Sequence, residues 1–289
     1  MEHYRPLDEL LPARWQSGFV TADDGARLHF RRTGGDKPAL VLLHGVQVSG
    51  ASWLRTALAL EDRFDVVMPD SRGHGNSARA DSLITHERLI VDVQAILRAL
   101  NLHNPAVIGH SMGADVAGRL AAVEPLRAVI LVDPALQSFA PAALLSGDEP
   151  PPWMAPILEA MARLKTLPHP ERMQAGLSLL PPGTPPWAEM DYVSFVDGQI
   201  GFDPGFFRSA VKMGYLFEAP DLIARIACPV LLLTARPMMP GANLEPGQRA
   251  FTENWQRGEH VHFEDAGHFV MFDQFERFLD VVTRFIATA

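Results

Sequence analysis

The strongest pattern along the chain is an alternation of short apolar runs with longer amphipathic segments. Continuous, largely apolar runs such as Ala39–Leu43 are typical of strands that are buried on both faces of a sheet. The Gly18–Thr21 and Arg27–Arg32 segments, separated by Asp23-Asp24-Gly25, predict an opening hairpin. The further predicted strands are Asp65–Met68, Ala106–Ile108, Ala128–Val132, Val230–Thr234 and His260–Phe263.

Helical patterns lie between these strands. In Glu87–Leu100, apolar residues recur with the 3.6-residue period of an amphipathic helix. The other predicted helices are Ser52–Leu60, Met112–Val123, Pro246–Arg257 and Val270–Ile286. Strand–helix alternation with short links predicts an α/β fold in which a mostly parallel, eight-stranded sheet is flanked by helices.

Residues 134–218 interrupt this alternation. They contain no run typical of a buried strand, and more than half of the 24 prolines fall here. A segment of this length is too long for a plain loop in a compact domain, and its Trp and Phe residues disfavour disorder. The sequence therefore predicts a helical cap at 134–218, inserted after the sixth strand into a core formed by residues 1–133 and 219–289.

Composition narrows the class of partner. The 289-residue chain is 47% hydrophobic and 20% charged, as expected of a folded soluble protein. A formal net charge of −9 disfavours nucleic-acid binding. The sequence has no run of basic residues and no apolar segment of roughly 20 residues, so a membrane partner is not expected. The N-terminus lacks the apolar region of a signal peptide, so a cytoplasmic location is expected. The sequence is compatible with a homodimer.

The pentapeptide Gly109-His-Ser-Met-Gly113 directly follows the apolar run that ends at Ile108. A helical pattern begins at Met112, so Ser111 stands in a sharp strand-to-helix turn. Flanking glycines allow the close backbone packing that such a turn requires, and the turn raises the serine hydroxyl above the sheet edge. The context predicts a nucleophile elbow with Ser111 as the nucleophile.

Four motifs in order along nearly the whole chain carry a family resemblance. They are Leu43-His-Gly-Val46, Pro69-Asp-Ser-Arg-Gly-His-Gly-Asn-Ser77, Gly109–Ala114 and Gly267-His268. With them the chain resembles the α/β-hydrolase fold superfamily, and within it the small, capped serine esterase-type members. Haloalkane dehalogenases and epoxide hydrolases of similar shape carry aspartate at the elbow, where this chain has serine.

A serine hydroxyl becomes a good nucleophile only when a base takes its proton. Of the eleven histidines, His268 follows the last predicted strand, in the loop that carries the base in the family. Acyl transfer also needs donors for the oxyanion. The backbone N–H of Met112, directly after the nucleophile, is one expected donor, and the resemblance implies the N–H of Val46 as the other. No metal-ligand spacing is visible, so neither a metal nor a cofactor is expected.

The triad acid departs from the family pattern. The loop after the seventh strand, where relatives often have an aspartate, reads Thr234-Ala-Arg-Pro-Met-Met-Pro240, and Met238 occupies the aligned position. Some capped members place the acid after the sixth strand, where this chain has Asp133. We therefore rank Asp133 first and Glu245 second as candidates for the triad acid. A weak or absent acid is the third possibility.

The function expected from these residues is hydrolysis of small to medium apolar carboxylic esters or lactones through an acyl-enzyme. Aromatic and methionine residues in the predicted cap favour an apolar substrate. Two other readings stay open. One is carbon–carbon bond hydrolysis on the same fold, and the other is a ligand-binding protein of the fold that hardly turns over.

Overall fold

The computed structural model describes residues 4–136, 155–180, 184–210, 213, 216–237 and 244–289. Eight strands in these residues form one sheet. They are β1 (Gln16–Thr21), β2 (Arg27–Arg32), β3 (Ala39–Leu43), β4 (Asp65–Pro69), β5 (Ala106–His110), β6 (Ala128–Val132), β7 (Val230–Ala235) and β8 (Gly258–Phe263).

The strand order across the sheet is β1-β2-β4-β3-β5-β6-β7-β8. The pairs β1–β2 and β2–β4 are antiparallel, and every other pair is parallel. The predicted mostly parallel, eight-stranded sheet with an opening hairpin is therefore confirmed. The parallel strands share one carboxyl edge, which is the edge where ligands bind in open α/β sheets.

The α-helices in the described part of the chain lie before, between and after these strands. They are α1 (Leu7–Leu10), α2 (Leu54–Leu60), α3 (His86–Ala99), α4 (Met112–Ala121), α5 (Ala155–Leu164), α6 (His169–Leu177), α7 (Glu189–Gly201), α8 (Phe207–Ala210), α9 (Pro220–Ile223), α10 (Glu245–Thr252), α11 (Val270–Asp273) and α12 (Phe275–Thr288). Their bounds differ from the predictions by a few residues, most clearly in α10, which the pattern extended to Arg257.

The central strands are largely apolar because both faces of the sheet are covered. Along β3, Val41 and Leu43 pack into the core on one face, whereas Leu40 and Leu42 pack into the core on the other. All four side chains are buried, as the two-residue period of a strand between two helical layers requires. The continuous apolar run of β3 therefore results from burial of the strand on both faces of the sheet.

The apolar pattern Val270–Ile286 predicted one helix, and the chain forms two. Gln274 leaves the helical region at φ −133° and ψ 51°, between α11 and α12. The Asp273 carboxylate at the end of α11 accepts hydrogen bonds from the Gly267 N–H and the Trp187 ring. Hydrophobic periodicity does not record such long-range contacts, so the break was not visible in the sequence.

Between β6 and β7 the described residues form helices α5–α9 and short 3₁₀ turns, with no strand among them. Several of their aromatic side chains are buried, including Trp187, Phe202 and Phe206. Trp153 and Met154 lie outside the described residues. The division into a core and a cap at 134–218 stays a prediction.

None of the helices in the described ranges combines the length and the apolar character needed to cross a bilayer.

Candidate active site

The turn around Ser111 joins β5 to α4 with almost no intervening chain. Ser111 has a φ of 53° and a ψ of −117°, in a region that non-glycine residues rarely adopt. A Cβ on Gly109 would collide with the carbonyl oxygen of Gly113, and one on Gly113 would collide with that of Leu43. Only glycine therefore fits on either side, and the strain is concentrated on the serine.

His268 lies in the loop after β8, next to the serine turn. The Nε2–H of His110 donates to the carbonyl oxygen of His268 over 2.8 Å, and the two rings lie 4.6 Å apart between centroids. Because His110 directly precedes Ser111, this bond holds the histidine loop against the turn. No hydrogen bond joins the Ser111 hydroxyl to His268 within the described part of the chain.

The second partner of His268 is Asp133, the first residue after β6. The His268 Nδ1–H donates to Asp133 Oδ2 over 2.7 Å, and the Ala235 N–H donates to Oδ1 over 3.0 Å. Asp133 is 7% exposed and has a φ of 43°. The two hydrogen bonds use both oxygens, which fixes the orientation of the carboxylate. They leave His268 Nε2 as the ring nitrogen that can accept a proton.

Glu245, the second candidate acid, is the first residue of α10 and is exposed. Within the described residues, the His268 ring forms a hydrogen bond with Asp133 and none with Glu245. A carboxylate at this position interacts favourably with the N-terminal end of the helix dipole. Met238, which occupies the position of the usual acid, lies outside the described residues.

The two expected oxyanion donors flank the serine. Met112 is the first residue of α4, so its N–H has no partner within the helix. A Cβ on Gly45 would lie 3.1 Å from the Ser111 Cβ, which puts the chain at Val46 beside the serine. In the described ranges, neither the Val46 N–H nor the Met112 N–H donates to a backbone carbonyl. Both N–H groups are thus available to an oxygen bound at the serine.

The loop that carries Val46 is anchored by His44. Its Nε2 accepts from the Ser71 N–H over 2.9 Å, and its Nδ1–H donates to the Gly45 carbonyl oxygen over 2.7 Å. These two bonds require the neutral ring protonated at Nδ1. Burial lowers the pKa of His44 and lowers that of His74 to about 3, so both rings stay neutral. Burial also lowers the pKa of His110 well below its usual value.

Asp70 fixes the neighbouring loops. Its buried carboxylate accepts from the His29 ring, the Gly50 N–H and the Asn76 N–H, each within 3.0 Å. Burial alone would raise the pKa of this carboxyl, but the hydrogen bond from His29 and the charge of Arg31 lower it to about 2. These contacts give Asp70 a structural role in holding the loops in place.

Sequence reasoning missed a second carboxylate beside the histidine loop. Asp273 accepts from the Gly267 N–H and from the Trp187 ring N–H, each over 2.6 Å. Burial raises the pKa of Asp273, and the two hydrogen bonds oppose this effect. The bonds connect the loop of His268 to Trp187, which lies 86 positions before Asp273. No local pattern could have indicated the pairing with Trp187.

No group of three or more His, Cys, Asp or Glu side chains within the described ranges is arranged to hold a metal ion.

Comparisons with known proteins agree with this fold. The family model described as "Alpha/beta hydrolase family" matches residues 40–281. The chain is 36% identical over 105 residues to the magnesium-chelatase 30 kDa subunit of Rhodobacter capsulatus, a match that covers 36% of this chain and 37% of that protein. It is 37% identical over 120 residues to N-formylmaleamate deformylase of Pseudomonas putida, covering 40% of this chain and 44% of that protein. Each match spans less than half of the relative's length.

Among solved structures, carboxylesterase CesB (YbfK) from Bacillus subtilis superimposes with a TM-score of 0.74 at 18% sequence identity. The superposition covers 98% of this chain and 95% of that chain. At this identity the likeness shows a shared fold.

Proposed function

The chain belongs to the alpha/beta hydrolase family, and on that premise we propose that it is a serine hydrolase. Its proposed substrates are small to medium apolar carboxylic esters or lactones. The hydrogen bond of 2.7 Å between His268 and Asp133, beside the strained serine turn, is the observation that carries the proposal. A histidine whose Nδ1 is held by a carboxylate is oriented to accept a proton at Nε2.

In the proposed reaction, the Ser111 hydroxyl oxygen attacks the carbonyl carbon of the ester while His268 Nε2 takes the hydroxyl proton. The carbonyl electrons move to the oxygen, and the N–H groups of Val46 and Met112 stabilise the resulting oxyanion. Asp133 stabilises the imidazolium and keeps its own charge. Collapse of the intermediate releases the alcohol, which takes the proton from His268, and leaves an acyl group on Ser111.

Water then repeats the sequence. His268 removes a proton from a water molecule, the hydroxide oxygen attacks the acyl carbon, and the oxyanion forms at the same two donors. When this second intermediate collapses, Ser111 recovers its proton from His268 and the carboxylic acid leaves. In a lactone the leaving alcohol stays attached to the acyl chain, so the product is a hydroxy acid.

The preference for apolar substrates is supported by the aromatic residues around the histidine. The ring of Phe269 lies 5.7 Å from that of His268, 5.6 Å from that of Phe195 and 5.4 Å from that of Trp187. Phe195 and Trp187 belong to the segment 134–218, which we propose to form a lid over the serine. Aromatic and apolar walls favour a substrate without charge near the reacting carbonyl.

The test is burst kinetics with p-nitrophenyl butyrate. Wild-type protein should release p-nitrophenol in a burst of about one equivalent if acylation is faster than deacylation, and a fluorophosphonate should label Ser111 covalently. Ser111→Ala should lower turnover at least ~10³-fold and abolish labelling while the protein stays folded. A wild-type protein that neither labels nor turns over any ester or lactone of a chain-length panel would instead be a ligand-binding member of the fold.

A further inference from the structure

The loop between β3 and the 3₁₀ turn Gly50–Trp53 carries the proposed oxyanion donor Val46. Its two ends are firmly held. His44 anchors the first end through Ser71 and Gly45, as described above, and the Gly50 N–H anchors the second end by donating to Asp70 over 2.8 Å. The middle of the loop, residues 46–48, contains the donor itself.

One side chain from outside the loop holds the backbone of this middle part. The Gln199 side-chain NH₂ donates to the carbonyl oxygen of Gln47 over 2.9 Å. Because a carbonyl oxygen only accepts, the Gln199 atom that faces it must be the amide nitrogen. Across the described residues, Gln199 is the only side chain that donates to the backbone of 46–48. It is 3% exposed, so water competes little for this bond.

The backbone of the loop needs such support. Gln47 has a φ of 67°, a left-handed conformation that costs energy in a residue with a side chain. Helix α7, which carries Gln199, packs directly on the loop: a Cβ on Gly198 would lie 2.5 Å from the Val48 Cα and 3.1 Å from the Gln47 oxygen. The helix and the loop therefore meet through backbone, and Gln199 supplies the directional contact between them.

We propose that Gln199 is a positioning residue that holds the Val46 N–H in the geometry required to stabilise the oxyanion. This inference rests on the proposed function and deepens it. Helix α7 lies within the segment proposed as the lid, so the lid would complete the oxyanion site as well as cover the serine. Loss of the Gln199 hydrogen bond should then weaken binding of the transition state while leaving binding of the ground-state ester nearly unchanged.

Two variants remove the hydrogen bond in different ways. Gln199→Met keeps an unbranched side chain of similar length without a donor. Gln199→Glu keeps the shape but places a carboxylate oxygen opposite the Gln47 carbonyl. The readouts are kcat and KM for p-nitrophenyl butyrate, and the inhibition constant of an alkyl trifluoromethyl ketone of matched chain length. Ser111 adds to that ketone, so its carbonyl oxygen becomes an alkoxide in the oxyanion site while His268 takes the proton.

For both variants we expect kcat to fall about 10- to 100-fold, since a misplacement of about 1 Å near the chemistry can cost about 10²-fold. KM should change by less than about threefold, because the ground-state carbonyl gains little from the oxyanion donors. The inhibition constant of the ketone should rise by a factor similar to the loss in kcat. Rates are compared per serine that reacts with fluorophosphonate, which removes unfolded protein from the comparison.

Ser194→Ala is the matched control on the same helix. The Ser194 hydroxyl is buried but donates within α7, to the Asp191 carbonyl oxygen, so its loss perturbs the helix without removing the hydrogen bond to the loop. This variant should keep wild-type kcat, KM and ketone affinity. If Gln199→Glu does not fold, the comparison of Gln199→Met with Ser194→Ala decides the question.

Two results would overturn the inference. In the first, the Gln199 variants bind the ketone as tightly as wild type, or their ketone affinity falls only by the factor by which KM rises. Such a proportional loss is expected of a residue whose role is merely structural. In the second, Ser194→Ala shows the same loss as the Gln199 variants. If the turnover of the wild-type protein depends on Ser111, either result refutes the role of Gln199 and leaves the proposed function standing. Absence of that turnover removes the proposed function as well.

Discussion

Replacing Asp133 with asparagine tests the acid of the proposed triad. The carboxylate uses one oxygen for the Ala235 N–H and the other for the His268 Nδ1–H. Asparagine has one oxygen and one NH₂ group, so it can satisfy only one of these two donors. The variant keeps the shape of the side chain, and its effect therefore depends on which way the amide turns.

In the first orientation the amide oxygen faces Ala235 and the NH₂ group faces His268. Nδ1 must then accept, the ring proton moves to Nε2, and the histidine can no longer take the proton of Ser111; this loss is about 10⁴-fold in a serine triad. In the second orientation the NH₂ group faces the Ala235 N–H, which leaves a buried donor unpaired at a cost of about 1–3 kcal/mol. We therefore expect kcat to fall by about 10²–10⁴, or about 3–5 kcal/mol.

The assay measures kcat for p-nitrophenyl butyrate in wild type, Asp133→Asn and the control Glu245→Gln. Circular dichroism and thermal unfolding establish equal folded fractions, since Asp133 also holds the backbone of Ala235. Glu245→Gln should keep nearly full activity, because an exposed carboxylate at a helix start contributes about 0.3–1 kcal/mol to stability. The reasoning fails if Asp133→Asn stays within a few-fold of wild type, or if Glu245→Gln is the inactive variant.

Three further predictions concern stability. Ser111→Gly should raise the melting temperature above that of Ser111→Ala, because glycine relieves the strain at a φ of 53°, on the order of 1 kcal/mol. Gly113→Ala should strongly destabilise the protein, since its Cβ would collide with the carbonyl of Leu43, whereas Gly118→Ala, whose Cβ meets only the end of a flexible side chain, should cost much less in chemical denaturation. Burial raises the pKa of Asp197 to about 6, so the native state binds a proton between about pH 4 and pH 6 that the unfolded state has lost. Stability therefore falls as pH rises through that window, and Asp197→Asn should raise the melting temperature at pH 7 and change it little at pH 4.

Each of these has a contradicting result. Equal melting temperatures for the glycine and alanine variants of Ser111 would mean that the turn stores no relievable strain. A Gly113→Ala protein as stable as Gly118→Ala would mean that the backbone at the turn can move apart. An Asp197→Asn protein that is less stable than wild type at pH 7 would mean that this carboxylate has a stabilising partner.

Much of the fold was readable from the sequence because its physical causes are local. Strands covered on both faces contain few polar side chains, so β3, β6 and the start of β5 appear as continuous apolar runs. The turn at Ser111 was readable for a similar reason, since both of its glycines are required by contacts within a few residues or with the adjacent strand end. The two C-terminal helices show the limit, because the break at Gln274 accompanies contacts of Asp273 with Gly267 and Trp187.

The arrangement of the candidate site was decided only by the tertiary structure. Sequence reasoning ranked Asp133 above Glu245 as the triad acid but could not show which of them contacts the histidine. Their catalytic roles stay proposals. The contact itself is between His268 and Asp133, which are 135 positions apart. Gln199, 152 positions from Gln47, carried no signal at all. Hydrophobic periodicity reports how each element is buried. Which side chains meet at the carboxyl edge of the sheet depends on the strand order and on how the helices between β6 and β7 pack, and both are set by long-range packing.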